Sequence, residues 1–183
     1  DIVNQICAIP ESDTLTNIVF MGMGEPFDNT LELLKSLEIL TSDWGFAWSP
    51  RRLTVSSVGL IPGMKQFLER SEAHLAISLH NPFSEERLAI MPTEKAYPIE
   101  KVVAELKKHD FSHQRRVSFE YIMFEGVNDS PRHARELVRL LNGLPCRVNL
   151  IKFHAIPNVS LHSPSAEKMV WFRDYLTENH VIC

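Results

Sequence analysis

Cysteine is scarce in this chain, with Cys7, Cys146 and Cys183 the only three thiols in 183 residues. They are too few and too widely spaced for a disulfide framework or a local metal knuckle, and they read as buried or incidental thiols. No apolar run approaches the roughly 20 residues that span a bilayer. The start Asp1-Ile2-Val3-Asn4-Gln5 lacks the basic-then-apolar order of a secretory leader, so a cytoplasmic protein with no membrane partner is expected. A formal charge of -4 supplies no overall attraction to nucleic acid, while leaving room for a local basic surface. There is no His-Glu-x-x-His pattern, no lysine-bearing phosphate loop, no complete dinucleotide fingerprint and no nucleophile elbow. Internal repeats and low-complexity linkers are missing too. What remains is a chain 44% hydrophobic, enough for one substantial core, and a single domain is expected.

Five short apolar segments punctuate it: Ile18 to Met21, Arg52 to Val58, Ala73 to Leu79, Val117 to Phe124, and Arg147 to Phe153. Several are apolar on both alternating sets, the pattern of parallel strands covered by helices. Helical patterns lie between them. Leu33, Leu34, Leu37 and Leu40 form a stripe, with Asn29 as N-cap and Glu32 completing a capping box. Further helices are expected over Pro62 to Glu69, Ser84 to Ile90, Ile99 to His109, Arg132 to Leu141 and Ser165 to Thr177. The last two follow Ser130-Pro131 and Ser163-Pro164, a hydroxyl cap and then proline. The proline-rich connection from Asn81 to Pro98 reads as a stiff rim loop or lid. Repeated βα units give an α/β fold with right-handed crossovers. Both a doubly wound sheet and a partial or complete βα barrel fit that order.

Polar groups gather where strands should end. Met21-Gly22-Met23-Gly24-Glu25-Pro26 follows the first apolar run and precedes a helix, so its glycines suit either a tight turn or a ligand rim, with Glu25 as the charge. Ser56 and Ser57 close the second segment and either contact a ligand or satisfy their own backbone. The third closes on Ser78-Leu79-His80-Asn81-Pro82. His80 reads as a hydrogen-bonding, orienting or proton-transfer group, or as a structural histidine, whereas Asn81 suits the turn before Pro82. Glu120, inside an aromatic strand, should face a polar interior or a basic partner. Asn128 shapes a loop or joins the site, and His154 is a better contact candidate than Asn149. Arg51-Arg52 and Arg115-Arg116 each precede a strand, where they either meet phosphate or keep a sheet edge soluble.

Taken in order, Met-Gly-Met-Gly-Glu-Pro, Arg-Arg-Leu-Thr-Val-Ser-Ser-Val-Gly, Ala-Ile-Ser-Leu-His-Asn-Pro, Phe-Glu-Tyr-Ile-Met and Val-Asn-Asp resemble the radical S-adenosylmethionine (SAM) adenine-C2 methyltransferases, over essentially all 183 residues. The resemblance implies a partial (βα)6 radical-SAM barrel of the TIM-barrel-like type, about five parallel strands of which are present. Residues 1–183 would be the central part of that barrel domain, without its cluster-binding N-terminal part and catalytic C-terminal segment. It implies SAM contacts at Gly24, Glu25, Ser56, Ser78, Leu79 and His80, and at His154, where the family commonly has asparagine. Glu25 would hold the methionyl ammonium group. A [4Fe-4S] cluster is implied for the intact protein. It is not expected in this fragment, which lacks the Cys-x-x-x-Cys-x-x-Cys loop. No catalytic residue is expected within the fragment, since Cys183 precedes the family's late cysteine and Cys146 resembles a core residue. Implied partners are 23S rRNA and tRNA, and an electron donor such as flavodoxin or ferredoxin. The alternatives are another radical-SAM RNA modification, including adenine C8 methylation, and a non-catalytic nucleotide- or RNA-binding scaffold.

Overall fold

Leu53, Val55 and Ser57 are buried while Thr54 and Ser56 between them are only partly so, the period of two that makes a half-covered strand. That strand belongs to a five-stranded sheet in the computed structural model, which describes residues 1–183. Its strands are β1 (Ile18–Phe20), β2 (Leu53–Ser57), β3 (His74–Ser78), β4 (Val117–Met123) and β5 (Cys146–Lys152). They lie side by side in chain order and pair parallel throughout. A doubly wound sheet needs the order to reverse, so this topology removes that alternative. Right-handed crossovers that always step the same way place the helices on one face, as in the arc of a barrel. Ile182 adds a parallel bridge to Arg147, and Val148 N–H donates to the Ile182 carbonyl at 2.8 Å, which marks a sixth strand position.

Seven helices alternate with the strands: α1 (Ile2–Cys7), α2 (Thr30–Thr41), α3 (Ile61–Arg70), α4 (Ser84–Ile90), α5 (Ile99–Leu106), α6 (Pro131–Leu141) and α7 (Ala166–Glu178). Their apolar stripes meet the outer side chains of the strands. Leu37, Leu40, Phe67, Val102, Leu106, Leu137 and Phe172 pack with Val55, Ile77, Phe119 and Tyr121 in one cluster of 33 buried residues. Each fully buried large side chain contributes about 1.5–3 kcal/mol of transfer free energy. None of the helices is long and apolar enough to cross a membrane.

The opposite face of the sheet is polar, contrary to the expectation of strands apolar on both sets. Register brings Ser78 beside Glu120 and Glu120 beside Asn149, with Ser118 beside Arg147 one step below. The apolar count of these strands is high because their outer residues are large, not because both faces are dry.

Several helix starts differ from the sequence reading. Asn29 makes no side-chain cap and the capping box with Glu32 does not form. A 3-10 turn over Pro26–Asn29 precedes α2 instead, with Glu25 accepting from Phe27 N–H at 3.0 Å and Thr30 Oγ1 donating to the Phe27 carbonyl at 2.6 Å. Ser165, not Ser163, caps α7 by accepting from Lys168 N–H at 3.2 Å. Ser130 sits at the N-cap of α6, but its hydroxyl pairs with His133 Nδ1 at 2.7 Å rather than with the backbone. The Asn81 to Pro98 connection is rim but not lid: α4 and a 3-10 turn over Pro92–Lys95 occupy it, pinned from beneath by a buried ion pair.

Candidate functional site

At the carboxyl ends of the strands a cavity of about 260 Å³ opens on the polar face. It draws Gly24 and Glu25 from the loop after β1, Ser56 from β2, Ser78 from β3, His80 from the following turn and Glu120 from β4. Parallel strands of one register end at one level, so residues far apart in sequence converge there. A larger space of about 440 Å³ runs along the open edge of β1 and shares the Met21 to Pro26 loop. It is lined chiefly by apolar groups such as Ile6, Val19 and Leu33. The smaller cavity holds the polar chemistry.

Glu25 is held by backbone donors on both oxygens. Oε1 accepts from Phe27 N–H at 3.0 Å and Oε2 from Val58 N–H at 2.8 Å, which ties the β1 loop to the end of β2. A carboxylate has about four acceptor positions, so it retains capacity for a cation in the cavity. Gly24 precedes it at φ +92°, a left-handed conformation that side chains rarely adopt.

His80 is also left-handed, at φ +55°, a strain that non-glycine residues accept only when the surroundings enforce it. Three bonds enforce it. Its N–H donates to the Glu120 carbonyl at 3.3 Å, its carbonyl accepts from Asn128 Nδ2 at 2.6 Å, and its Nδ1 accepts from Ile122 N–H at 3.1 Å. An Nδ1 that accepts a backbone proton carries none of its own, so the ring proton is on Nε2. Burial, and then the charge of Arg87, lower the pKa to about 4. His80 is therefore a neutral Nε2–H donor near pH 7 and not the proton-transfer group its ordinary pKa suggested.

Glu120 does face a polar interior. Its Oε2 accepts from Asn149 Nδ2 at 2.8 Å, and burial raises its pKa against the opposing effects of Asn149 and Arg147. Two expected contacts fall outside the cavity. The Leu79 side chain is fully buried in the core because it occupies an outward register position. His154 lies exposed beyond the end of β5 and does not line the cavity.

The support of the site was legible in the sequence only at Asn128, expected to shape a loop or join the site, and not at Arg87 and Glu94. Arg87 on α4 is fully buried and donates to the carbonyls of Leu79 (2.9 Å), Ser78 (2.7 Å) and Val58 (3.1 Å). These are strand-end carbonyls, where the ladder has run out of partners. Its charge is balanced by Glu94, which also accepts from Ser84 Oγ and from Ile99 N–H at the start of α5. The one signal was an arginine seven residues before a glutamate in a proline-rich connection. Asn128 is a second support. It is fully buried, donates to the carbonyls of His80 and Ile122, and accepts from Phe124 N–H at 2.7 Å. Asn81 accepts from Phe83 N–H at 2.9 Å across Pro82, the turn role expected of it.

The set of two carboxylates, Glu25 and Glu120, three serine hydroxyls and one imidazole N–H fits a ligand that carries an ammonium group, hydroxyls and a carboxylate. SAM is such a ligand. An iron-sulfur cluster does not fit the residues present. Cys7 is exposed, Cys146 is buried in the outer layer, Cys183 ends the chain, and no three His, Cys, Asp or Glu side chains converge to hold a metal.

No protein-family model matches the chain. A probable dual-specificity RNA methyltransferase RlmN of Parabacteroides distasonis is 61% identical over 182 residues, covering 100% of this chain and 53% of that protein. The corresponding protein of Porphyromonas gingivalis W83 is 53% identical over 183 residues, with the same coverage of 100% and 53%. Among solved structures, a radical SAM methyltransferase from Sphaerobacter thermophilus superimposes with a TM-score of 0.86 at 39% identity, over 92% of this chain and 50% of that one. A domain of the pyruvate-formate lyase-activating enzyme from Bacteroides vulgatus matches with a TM-score of 0.70 at 18% identity, covering 92% of this chain and 97% of that one, a likeness of fold alone. The chain spans about half the length of the curated relatives it matches. Over nearly its whole length, then, this chain is homologous to about half of a radical SAM RNA methyltransferase of the dual-specificity RlmN type.

Proposed function

We propose that the cavity at the carboxyl ends of the strands binds SAM, and that the protein containing this chain methylates C2 of adenosine in 23S rRNA and in tRNA. One observation carries the reading: Glu25, Ser56, and Ser78 with His80 come from three separate segments and line a single cavity. Glu25 would hold the ammonium group, since a charge-assisted hydrogen bond to carboxylate is its strongest available partner there. Ser56, Ser78 and the His80 Nε2–H would bind the hydroxyl and carboxylate groups. His154, exposed beyond β5, would reach the ligand only through movement of the loop that carries it. SAM supplies the methyl group and, with a [4Fe-4S] cluster held by residues outside this segment, the redox chemistry that activates an unreactive carbon. The residues of this chain bind and orient SAM and exclude water. A cytoplasmic enzyme of this kind would take its electron from a flavodoxin or ferredoxin.

The test is a SAM titration of the anaerobically reconstituted full-length protein, paired with mass spectrometry of its RNA. Glu25→Gln should weaken SAM binding at least about tenfold, the loss of roughly 1.4 kcal/mol, and 2-methyladenosine should disappear from both RNAs. Unchanged affinity in that variant would place SAM elsewhere. Methylation at C8, or none at all in the wild type, would overturn the proposed reaction.

A further inference from the structure

The two arginine pairs that precede strands, Arg51-Arg52 and Arg115-Arg116, meet at the end of the sheet opposite the cavity. Because β2 and β4 run parallel, the residues before them share one rim. Arg115 Nη1 donates to the Arg51 carbonyl at 3.2 Å. Arg147, near the start of β5, donates through Nε to Ser118 Oγ at 2.8 Å, and the same hydroxyl meets His74 Nε2 at 2.8 Å. Arg147 and Arg115 both lie close enough to His74 to add to the effect of burial in lowering its pKa. Arg116 and Lys107 stand in the same relation to Cys146, where they oppose burial. Positive groups thus cross the rim from β2 to β5. None of these five arginines, nor Lys107, has a carboxylate within 4.0 Å, although the chain as a whole carries -4.

Aromatic rings flank the charge. Trp44 is 71% exposed and Phe46 40%, both in the connection from α2 that arrives at this rim. The Arg52 guanidinium lies 4.0 Å from the centre of the Trp48 ring. Phe46, Trp48 and Arg52 share a cleft of about 380 Å³ with Asp13 at its margin. The carboxylates Glu69, Glu72 and Asp110 line a cleft at the same end of the sheet, between the ends of α3 and α5, with Glu72 just before β3, but none of them pairs with the rim arginines.

We propose that this rim docks single-stranded RNA, with Arg51, Arg115 and Arg116 on phosphates and Trp44 and Phe46 against bases. Guanidinium forks match phosphate oxygens, and exposed flat rings stack any base, a combination that suits nucleic acid better than an acidic protein. The inference rests on the proposed function only in taking RNA as the polyanion.

The experiment is a fluorescence anisotropy titration of this chain with a labelled single-stranded RNA of roughly a dozen nucleotides, repeated over a salt series. Arg51→Gln/Arg115→Gln should weaken binding at least about tenfold and reduce the slope of log K against log salt by about 1.4, the signature of two lost phosphate contacts on a single strand. Trp44→Ala/Phe46→Ala should weaken binding with the slope unchanged. The substituted arginines are exposed, and circular dichroism will report any loss of fold. SAM affinity of the arginine variant should match the wild type, so rim and cavity are read separately. Equal RNA affinity and slope in the arginine variant would overturn the proposal. So would equally effective competition by polyglutamate, which would mark the rim as a site for an acidic protein.

Discussion

Arg87 and Glu94 form an ion pair with almost no solvent contact, and the arginine spends its remaining donors on the ends of β2 and β3. The charge thereby fixes the level at which Ser56, Ser78 and His80 present themselves. Breaking a buried pair leaves one uncompensated charge and costs about 3–5 kcal/mol. Arg87→Met should lose that much in urea denaturation. Adding Glu94→Leu should recover only part of it, because the Val58 and Ser78 carbonyls still lack this donor. Full recovery would show that the pair matters only to itself.

Asn128 joins three backbone groups of the turn after β3 and the end of β4. Asn128→Ala should cost about 2 kcal/mol or more, since it buries unpaired polar groups. It should also release His80 from its left-handed conformation and so weaken SAM binding. A crystal structure of the variant with His80 unmoved would separate stability from positioning.

The His80 tautomer is directly observable. Two-bond nitrogen-proton correlation spectra should show an Nε2–H ring at pH 7 and still at pH 5.5, with protonation only near pH 4. A midpoint near 6.5 would mean that Ile122 N–H does not occupy Nδ1.

The same depressed pKa predicts acid sensitivity. The unfolded histidine binds a proton near pH 6.5 and the folded one only near 4, so stability is full above 6.5 and is lost as pH falls through that window. His80 contributes up to roughly 3 kcal/mol to this loss. Denaturation midpoints of His80→Gln should therefore fall less steeply than those of the wild type between pH 6.5 and 4.

Gly63 lies where α3 crosses the turn that follows Glu25. A Cβ there would sit 2.5 Å from Phe27 Cβ and 2.6 Å from Thr30 Oγ1. Alanine favours a helix by about 1 kcal/mol over glycine, but overpacking costs about 1–3 kcal/mol. Gly63→Ala should lower the melting temperature and, by displacing Phe27 N–H from Glu25, reduce SAM affinity as well. A gain in stability would show that the turn yields easily.

Strand and helix order was legible because outer strand residues and helix stripes are large and apolar, and burying them dominates any alternative arrangement. The end of β1 and the start of α2 were less so. Glu25 and Thr30 satisfy that turn in place of the Asn29 capping box, since a carboxylate already held by Val58 N–H is the better acceptor. Ser56, Ser78 and His80 were marked as site candidates by lying at strand ends. Leu79 was included with them through the resemblance, yet the period of two turns its side chain to the core.

Read from the residues without the resemblance, the order of strands and the opposition of the two ends of the sheet stayed open, and of the inner face only Glu120 was marked as polar. Alternation tells each strand which residues share a face but not which strand stands beside it. That choice depends on crossover direction and on distant partners such as the buried Arg87 with Glu94, seven residues apart, or, at the exposed rim, Arg115 with the Arg51 carbonyl, 64 apart. By itself the sequence determined five strands, the helices between them and the motif residues at the strand ends, because those depend on local periodicity and chemistry. Convergence on one cavity, and of the arginines on the opposite rim, was decided by parallel register, which is a property of neighbours.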